Sequence, residues 1–365
     1  MTQHLDVVLA FALAVFGGVL GSSLGKSHRR LQLFALSFVF GLTFAHAAQP
    51  KLEAVHLDGQ DYVPVADWTR ANDLEWFWYN GDKTVEVTNR TARLVFEVNS
   101  AQAEINGIHV KLSFPFALER AIPLIAQFDL ATVIRPLLFP PHFAKIRLIK
   151  TICLDPGHGG KDAGNHVGRH YEKNYTLPLA FELRNQLKKA GFNVVMTRTT
   201  DKYVALPDRP ALANQRGADL FVSLHFNATP TGRDEVEGLE TYCMTPVGAS
   251  SSNQQVESGE FGSTAGTGPT IGNRNEQESL LLAYQVQKSL VQNLAVKDRG
   301  VKRARFAVLR EAAMPAILIE GGFMTNPVEN KKIYDDPYRH RMAEAIVKGI
   351  LVYQRLTAPL HKKRR

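Results

Sequence analysis

The chain has 365 residues, of which 45% are hydrophobic and 21% charged, an ordinary balance for a globular protein. This length allows one large domain and a smaller one, and a core of that size needs no disulfide staples. The formal net charge of +8 and the pI of about 9.4 suit an anionic partner such as cell wall, membrane headgroups or nucleic acid, without choosing among them. The two cysteines, Cys153 and Cys243, exclude a disulfide framework. Both lie in apolar runs, so we expect two buried thiols, with one disulfide as the alternative.

The N-terminus is typical of an export signal. Basic residues 28–30 precede an apolar run from Leu31 to Phe44, which is followed by the small-x-small sequence Ala45-His46-Ala47. We therefore predict a signal peptide over residues 1–47 and an exported protein that is periplasmic or associated with the cell wall. A retained membrane anchor is the alternative, although the apolar run is short for a span. A second apolar stretch, 7–24, is either a membrane helix or the product of a start codon assigned too far upstream, and we favour the start codon.

Residues 50–140 predict a small α+β domain. Leu94, Phe96 and Val98 alternate with polar residues, as expected for a half-buried strand. Asn80-Gly81 and Asn106-Gly107 separate such runs and predict hairpins. Two further pieces predict helices, and three prolines predict a linker to the rest of the chain. The helices are expected over Val63–Leu74 and Leu118–Leu138, and the prolines are Pro136, Pro140 and Pro141.

Residues 147–357 alternate between strand and helix patterns, which predicts an α/β domain with a mostly parallel sheet and helices on both faces. Three amphipathic stripes begin at Leu177, Leu280 and Met342. Ser- and Gly-rich residues 248–275 lack periodicity and predict a mobile surface insertion, and residues 358–365 form a basic tail. The expected strands are 148–154, 193–198, 219–224, 238–244, 306–309 and 315–320.

Four side chains that can bind a metal ion or transfer a proton lie at the ends of predicted strands or at the start of a predicted helix. His158 follows the first strand of this domain, His225 follows the strand 219–224, Glu320 ends the last strand, and Glu172 lies just before a helix. Ligands bind at the carboxyl ends of strands in open α/β sheets, so we expect the four to share one rim.

Two imidazoles and two carboxylates match the needs of a catalytic zinc site. Such a site uses three His or Glu ligands and keeps the fourth position for water, whose pKa the metal lowers. A further carboxylate takes the proton of that water. Each residue alone also has a structural explanation: a histidine at a strand end is commonly structural or solvated, and Glu172 suits a helix N-terminus.

Several blocks of this region resemble the zinc-dependent N-acetylmuramoyl-L-alanine amidases. The resemblance extends over about residues 148–355. It implies His158, Glu172 and His225 as zinc ligands, Glu320 as general base, and hydrolysis of the amide bond between N-acetylmuramic acid and L-alanine in peptidoglycan. The blocks are Ile152–Gly164, Glu172-Lys173-Asn174, Thr197-Arg198, Asp219–Asn227 and Pro315–Glu329.

The same resemblance leaves regulation open. Some members of the family carry a helix between the second histidine and the last strand, which blocks the site until an activator protein displaces it. Here that interval contains the Ser- and Gly-rich 248–275, which is loose for a plug, so dependence on an activator stays undecided.

The N-terminal region resembles the small α+β domain at the N-terminus of copper amine oxidases. Asp61–Val65, Trp76 and Lys83-Thr84-Val85 carry this likeness, which implies no copper chemistry. A role in wall attachment and a purely structural role both remain open. Basic residues between Lys297 and Arg310 are expected to form a solvated face, with a steering surface for anionic wall polymers as the alternative.

Two rival functions remain at this point. A zinc peptidase that cuts another bond of the stem peptide would use the same ligands, although the sequence blocks argue against it. A wall-binding protein without catalysis would have lost a ligand or the base, and all four residues are present. Nucleic acid is not an expected partner, because it would explain the positive charge but not the export signal.

Overall fold

The computed structural model describes residues 53–81, 83–140, 149–252 and 268–358. The predicted signal peptide 1–47, most of the insertion 248–275 and nearly all of the basic tail lie outside these ranges. No helix within them is long and apolar enough to cross a membrane.

The N-terminal region is built from short antiparallel strands and small helices. Asn106 and Gly107 both adopt positive φ, 47° and 80°, and form the two-residue turn predicted for a hairpin. Asn80-Gly81 likewise lies in a hairpin connection. In chain order the elements are β1 (Val55–Leu57), β2 (Gln60–Pro64), α1 (Val65–Ala71), β3 (Glu75–Trp78), β4 (Thr84–Thr88), β5 (Arg93–Glu97), β6 (Gln102–Ile105), β7 (Ile108–Lys111), β8 (Ala117–Glu119), β9 (Ile122–Ala126), α2 (Gln127–Asp129), a π-helical turn (Leu130–Ile134) and α3 (Arg135–Leu138).

The larger region carries the remaining strands and the three long helices. Its elements are β10 (Thr151–Pro156), β11 (His166–Val167), β12 (His170–Tyr171), α4 (Lys173–Lys189), β13 (Asn193–Met196), α5 (Asp208–Gln215), β14 (Leu220–Asn227), β15 (Leu239–Met244), a 3₁₀ turn (Ile271–Asn275), α6 (Glu276–Leu294), β16 (Asp298–Ala304), α7 (Ala307–Arg310), β17 (Ala316–Phe323), α8 (Glu329–Tyr334) and α9 (Asp336–Thr357).

The sheet is mixed, which corrects the prediction of a mostly parallel one. Strands β13, β10, β14 and β17 run parallel, but β15 is antiparallel to β17, and the strands of the N-terminal region add an antiparallel meander. The connection 228–238 between β14 and β15 contains no helix. A parallel return needs a crossover of about a dozen or more residues, usually a helix, so this short connection favours the antiparallel direction.

One continuous sheet of eleven strands runs through both regions, in the order β13-β10-β14-β17-β15-β16-β7-β6-β5-β4-β3. The two regions join where Val110 of β7 pairs with Val301 of β16. The described residues of both regions belong to one compact unit. The independent domain that the sequence predicts over residues 50–140 stays a prediction.

Apolar side chains on the two faces of the sheet pack against different helices. Ile152 and Leu154 belong to the cluster that includes the predicted apolar stripes of α4, α6 and α9. Cys153 points to the opposite cluster, which includes residues of α5 and α7. Cys153 and Cys243 are buried free thiols, as expected.

The structure overturns three local predictions. Residues 306–309 do not form a strand, because Ala307–Arg310 is a short helix and the strand is Asp298–Ala304. Residues 118–138 are only partly helical, because β8 and β9 occupy their first half. The basic residues between 297 and 310 are not a uniformly solvated face, since Arg303 and Arg305 are buried and donate to backbone carbonyls.

Candidate active site

The three predicted metal ligands converge in space. One ligand atom from each of His158, Glu172 and His225 lies within 4.8 Å of the others, and all three residues are buried. His158 follows β10, His225 lies near the end of β14, and Glu172 immediately precedes α4. The parallel pairing of β10 with β14 brings the two histidines to the same edge of the sheet, where their rings are edge to face with centroids 4.9 Å apart.

Glu172 stands between the two histidines. Its Oε2 lies 3.0 Å from Nε2 of His158, and its Oε1 lies 3.0 Å from Nδ1 of His225. The backbone N–H of Phe226 donates to Oε1 at 3.0 Å, and the backbone and side-chain nitrogens of Asn165 donate to Oε2 at 3.0 and 3.1 Å. These donors hold the carboxylate in one orientation.

His158 is held both by a carboxylate and by an unusual backbone conformation. Asp162 Oδ1 lies 2.8 Å from its Nδ1, which turns Nε2 towards Glu172. An acidic partner of this kind fixes the tautomer and orientation of a metal-binding histidine. The φ of His158 is 59°, a left-handed conformation that costs about 1–3 kcal/mol for a residue other than glycine.

Two glycines leave room for the ligands. A Cβ on Gly157 would lie 2.3 Å from Cε1 of His225. A Cβ on Gly164 would lie 2.6 Å both from Oε2 of Glu172 and from Cδ2 of His158. Since neither position can carry a side chain without displacing a ligand, the backbone itself forms the wall of the site.

The charges of the three groups shift one another's pKa. Burial alone would lower the pKa of His158, but the charge of Glu172 and hydrogen bonds to Asp162 and Glu172 outweigh it and raise this pKa to about 10. Burial would raise the pKa of Glu172, yet the two histidines hold it well below its usual range. Burial lowers the pKa of His225. The two histidines therefore favour the ionised form of the Glu172 carboxylate.

This donor set suits a zinc ion. Two imidazoles and one carboxylate are a ligand combination of catalytic zinc sites, which leave a further position for water. The buried carboxylate supplies negative charge, and the acidic partner of His158 matches the outer hydrogen bond usual for such ligands. The residues present therefore fit the metal expected from the sequence.

Glu320, the predicted general base, lies beside this cluster on β17. It is buried, and it pairs in register with His225 of β14 and with Glu240 of β15. Partners in register project from the same face of a sheet, so these three side chains lie in one row across adjacent strands. Strand β17 continues to Phe323, beyond the predicted end at Glu320.

Sequence reasoning missed Glu240, a buried carboxylate in that row. Its oxygens accept from Asn227 at 2.9 Å, from the Tyr242 hydroxyl at 2.8 Å and from Arg299 at 2.8 Å, and they also bind Lys302. Burial would raise its pKa, but Lys302 and Arg299 lower it. A glutamate within the apolar strand pattern 238–244 was the available signal.

Asp162 and Asn165 were also missed as supports of the ligands. Asp162 lies four residues after His158 within the block Ile152–Gly164, and this spacing was a usable signal. Asn165 left no such signal, because its contacts with Glu172 and with the Phe226 carbonyl depend on how the loop folds over β14.

Most of the larger region matches a known protein family. Residues 152–352 match the family described as N-acetylmuramoyl-L-alanine amidase. The chain is 36% identical over 220 residues to N-acetylmuramoyl-L-alanine amidase AmiC of Neisseria meningitidis serogroup B, covering 55% of this chain and 52% of that protein. It is 33% identical over 204 residues to the uncharacterized protein YqiI of Bacillus subtilis, covering 56% of this chain and 84% of that protein.

A solved structure described as an N-acetylmuramoyl-L-alanine amidase from Clostridium difficile 630 has 38% identity, with a TM-score of 0.46. The match covers 56% of this chain and 97% of that one. The match to AmiC spans about half the length of that relative.

Proposed function

Because the chain belongs to the N-acetylmuramoyl-L-alanine amidase family, we propose that it hydrolyses the amide bond between N-acetylmuramic acid and L-alanine in peptidoglycan. His158, Glu172 and His225 hold the zinc ion, and Glu320 is the general base. The activity serves cell-wall remodelling or the separation of daughter cells.

One observation carries the proposal. Three buried donors of the zinc-binding type lie within 4.8 Å of one another at the rim of the sheet. They belong to the segment 152–352 that matches the family. Two imidazoles and a carboxylate that converge in this way are a donor combination of catalytic zinc sites, which supports a metal centre here.

The chain's own residues have distinct tasks in this reaction. When bound, zinc polarises the scissile carbonyl and lowers the pKa of a bound water. Asp162 orients the His158 ring, while Asn165 and the Phe226 backbone orient Glu172. Glu320 accepts a proton from the attacking water and passes it to the leaving nitrogen of L-alanine.

The test is digestion of a purified muropeptide by the mature protein, analysed by mass spectrometry. The expected products are N-acetylmuramic acid with a free lactyl carboxylate and a stem peptide with a new N-terminal alanine. Removing the metal with a chelator should abolish this cleavage, and adding zinc should restore it. Cleavage inside the stem peptide would identify a peptidase instead, and an unaltered substrate under all metal conditions would contradict the proposal.

Export and wall association complete the proposal. The signal pattern in residues 1–47 favours an exported protein that is periplasmic or wall-associated, since its substrate lies outside the cytoplasm. The N-terminal region attaches the enzyme to the wall. Activity of the purified protein with and without extracts of its own envelope decides whether an activator is needed.

A further inference from the structure

Two arginines are almost completely buried behind the loop that carries His158. Arg198 follows β13 and is 1% exposed, and Arg209 lies in α5 and is 2% exposed. Buried guanidinium groups must satisfy their donors within the protein, so the partners of these side chains identify what they hold.

Both arginines donate to the backbone of the loop itself. Arg198 Nε donates to the Pro156 carbonyl at 3.0 Å, and its Nη2 donates to the Gly157 carbonyl at 2.8 Å. Arg209 Nη1 donates to the Pro156 carbonyl at 3.1 Å, and its Nη2 donates to the His158 carbonyl at 3.1 Å. The carbonyls of three successive residues, 156–158, thus accept hydrogen bonds from the two guanidinium groups, and the last of these residues is the predicted metal ligand His158.

A buried carboxylate fixes the second arginine in turn. Asp155 is fully buried and accepts from Arg209 Nη1 at 2.9 Å. It also accepts from the hydroxyls of Thr197 at 2.6 Å and Ser223 at 2.8 Å. Asp155 lies at the end of β10 and Ser223 in β14, so this network ties the guanidinium to the two strands that bring His158 and His225 together.

The loop needs such support because its conformation is unfavourable. His158 has a φ of 59°, which an L-residue adopts only when its surroundings impose it. With that backbone, Nε2 of His158 lies 3.0 Å from Glu172 Oε2. A relaxed, right-handed loop would redirect the carbonyls at 156–158 and turn the imidazole away from the other two ligands.

We propose that Arg209 and Arg198 are positioning residues, which hold the Pro156–His158 backbone in the conformation that presents His158 to the metal. Neither needs to touch substrate. This inference rests on the proposed metal centre and adds to it the residues that preorganise one ligand. Lysine cannot replace either arginine, because one ammonium group lacks the planar fork that bridges neighbouring carbonyls.

A buried arginine elsewhere provides a matched control. Arg303 is 3% exposed and donates to the carbonyls of Met244 at 3.2 Å and Thr132 at 2.9 Å. Strands β14, β17 and β15 separate its strand β16 from β10, which corresponds to about 19 Å at the usual strand spacing of ~4.8 Å. Arg303→Lys therefore measures the cost of disturbing a buried arginine without disturbing the ligand loop.

The experiment measures zinc affinity by competition with a chromophoric chelator, together with thermal unfolding, for the whole mature protein and its Arg209→Lys, Arg198→Lys and Arg303→Lys variants. All three variants should unfold at lower temperature. Loss of support around a ligand typically weakens metal binding about 10–100-fold, so we expect this for Arg209→Lys and Arg198→Lys, with Arg303→Lys within about threefold of wild type. On a soluble muropeptide, kcat should fall in the first two variants while KM changes little.

Two results would overturn the inference. The first is that Arg209→Lys and Arg198→Lys bind zinc as tightly as the wild type does. The second is that Arg303→Lys loses as much zinc affinity as these two variants do. If Arg209→Lys does not fold, Ser223→Ala serves in its place, because it removes one bond to Asp155 and should weaken zinc binding in the same direction. A wild-type protein that binds no zinc would instead contradict the metal centre itself, so the two failures are distinguishable.

Discussion

The two regions joined by β7 and β16 bury different chemistry. Within the described part of the N-terminal region, the buried carboxylates are Glu86 and Asp129, and the core is mostly apolar, with Phe96 and Phe116 stacked 5.0 Å apart. At one rim, the larger region buries acidic, basic and imidazole groups close together. They include the predicted ligands, Asp155 and the two arginines behind the ligand loop. Burying a charged side chain costs free energy unless it is paired, so a cluster of buried charged groups is a candidate functional site.

The large cavity does not lie in the region that holds most of the buried charged groups. A cavity of about 700 Å³ lies in the N-terminal region, between Trp68, Ile134 and Phe139. None of the four predicted catalytic residues lies there. The proposed metal site and the large cavity therefore lie in different regions of the protein.

The largest effect is expected from removing a metal ligand. His158→Ala deletes one of three donors and should reduce zinc from about one equivalent to a small fraction, with activity near background. Metal analysis of the purified protein measures it. His166→Ala, an exposed histidine in the following hairpin, is the control and should keep full zinc. Full occupancy in His158→Ala would remove this residue from the site.

A smaller loss is expected when only the base is changed. Glu320→Gln keeps shape and burial but cannot accept a proton, so kcat should fall about 10²–10⁴-fold while zinc is retained. Steady-state kinetics on a muropeptide and metal analysis separate these effects. The control is Glu344→Gln on the exposed face of α9. Activity within a few-fold of wild type would move the base elsewhere.

The apolar core of the N-terminal region should respond in stability and not in chemistry. Phe96 is fully buried and stacks on Phe116, so Phe96→Ala should cost about 3–5 kcal/mol of unfolding free energy. Phe77→Ala, at a position 44% exposed, should change it by less than about 0.5 kcal/mol. Urea unfolding provides both values. If folded Phe96→Ala lost zinc, the two regions would not be chemically separate.

Removing the N-terminal region tests its attachment role. Residues 144–365 should turn over a small soluble muropeptide nearly as fast as residues 48–365, but should sediment several-fold less with insoluble sacculi, because linked binding raises local concentration. The shorter fragment also exposes the β16 edge and loses the bond from the Tyr284 hydroxyl to the Ile105 carbonyl at 2.8 Å. Its unfolding temperature should therefore fall. Equal sedimentation at physiological salt would favour a structural role for this region.

The smallest effect concerns the joint between the regions. The carboxylate of Asp298, whose Oδ2 lies 3.2 Å from Nδ1 of His109, raises the pKa of His109, although burial opposes it. A raised pKa in the folded state stabilises at pH values below the unfolded value of about 6.5, and this stabilisation disappears as pH rises through the folded pKa. His109→Gln should therefore lose up to about 1 kcal/mol at pH 5.5, since the ring is partly exposed, and less at pH 8. A pH-independent difference in urea unfolding would contradict this.

Much of the larger region could be predicted from local pattern. The stripes beginning at Leu177, Leu280 and Met342 became the three long helices, because an apolar face repeated every three to four residues can be buried only as a helix. The positions of His158, Glu172, His225 and Glu320 beside regular elements predicted that they share one rim, because parallel strands bring their ends to the same edge. The resemblance to the amidases then implied which three of them are the ligands.

Other features depended on distant partners. The place of β15 between β17 and β16 depended on strands that come much later in the chain. The basic segment 298–304 became a strand because Glu240 neutralises Arg299 and Lys302 while Val301 pairs across to the N-terminal region.

Sequence alone therefore determined the chemistry of the site: the donor types, their order along the chain and their places at the ends of elements. Only the tertiary structure decided how that chemistry is supported. Asn165 and the two arginines behind the loop bind groups that are far away in sequence, whereas Asp162 lies only four residues from His158. Local propensity is a property of neighbouring residues, whereas a hydrogen bond to a buried carbonyl exists only after the strands and helices have packed.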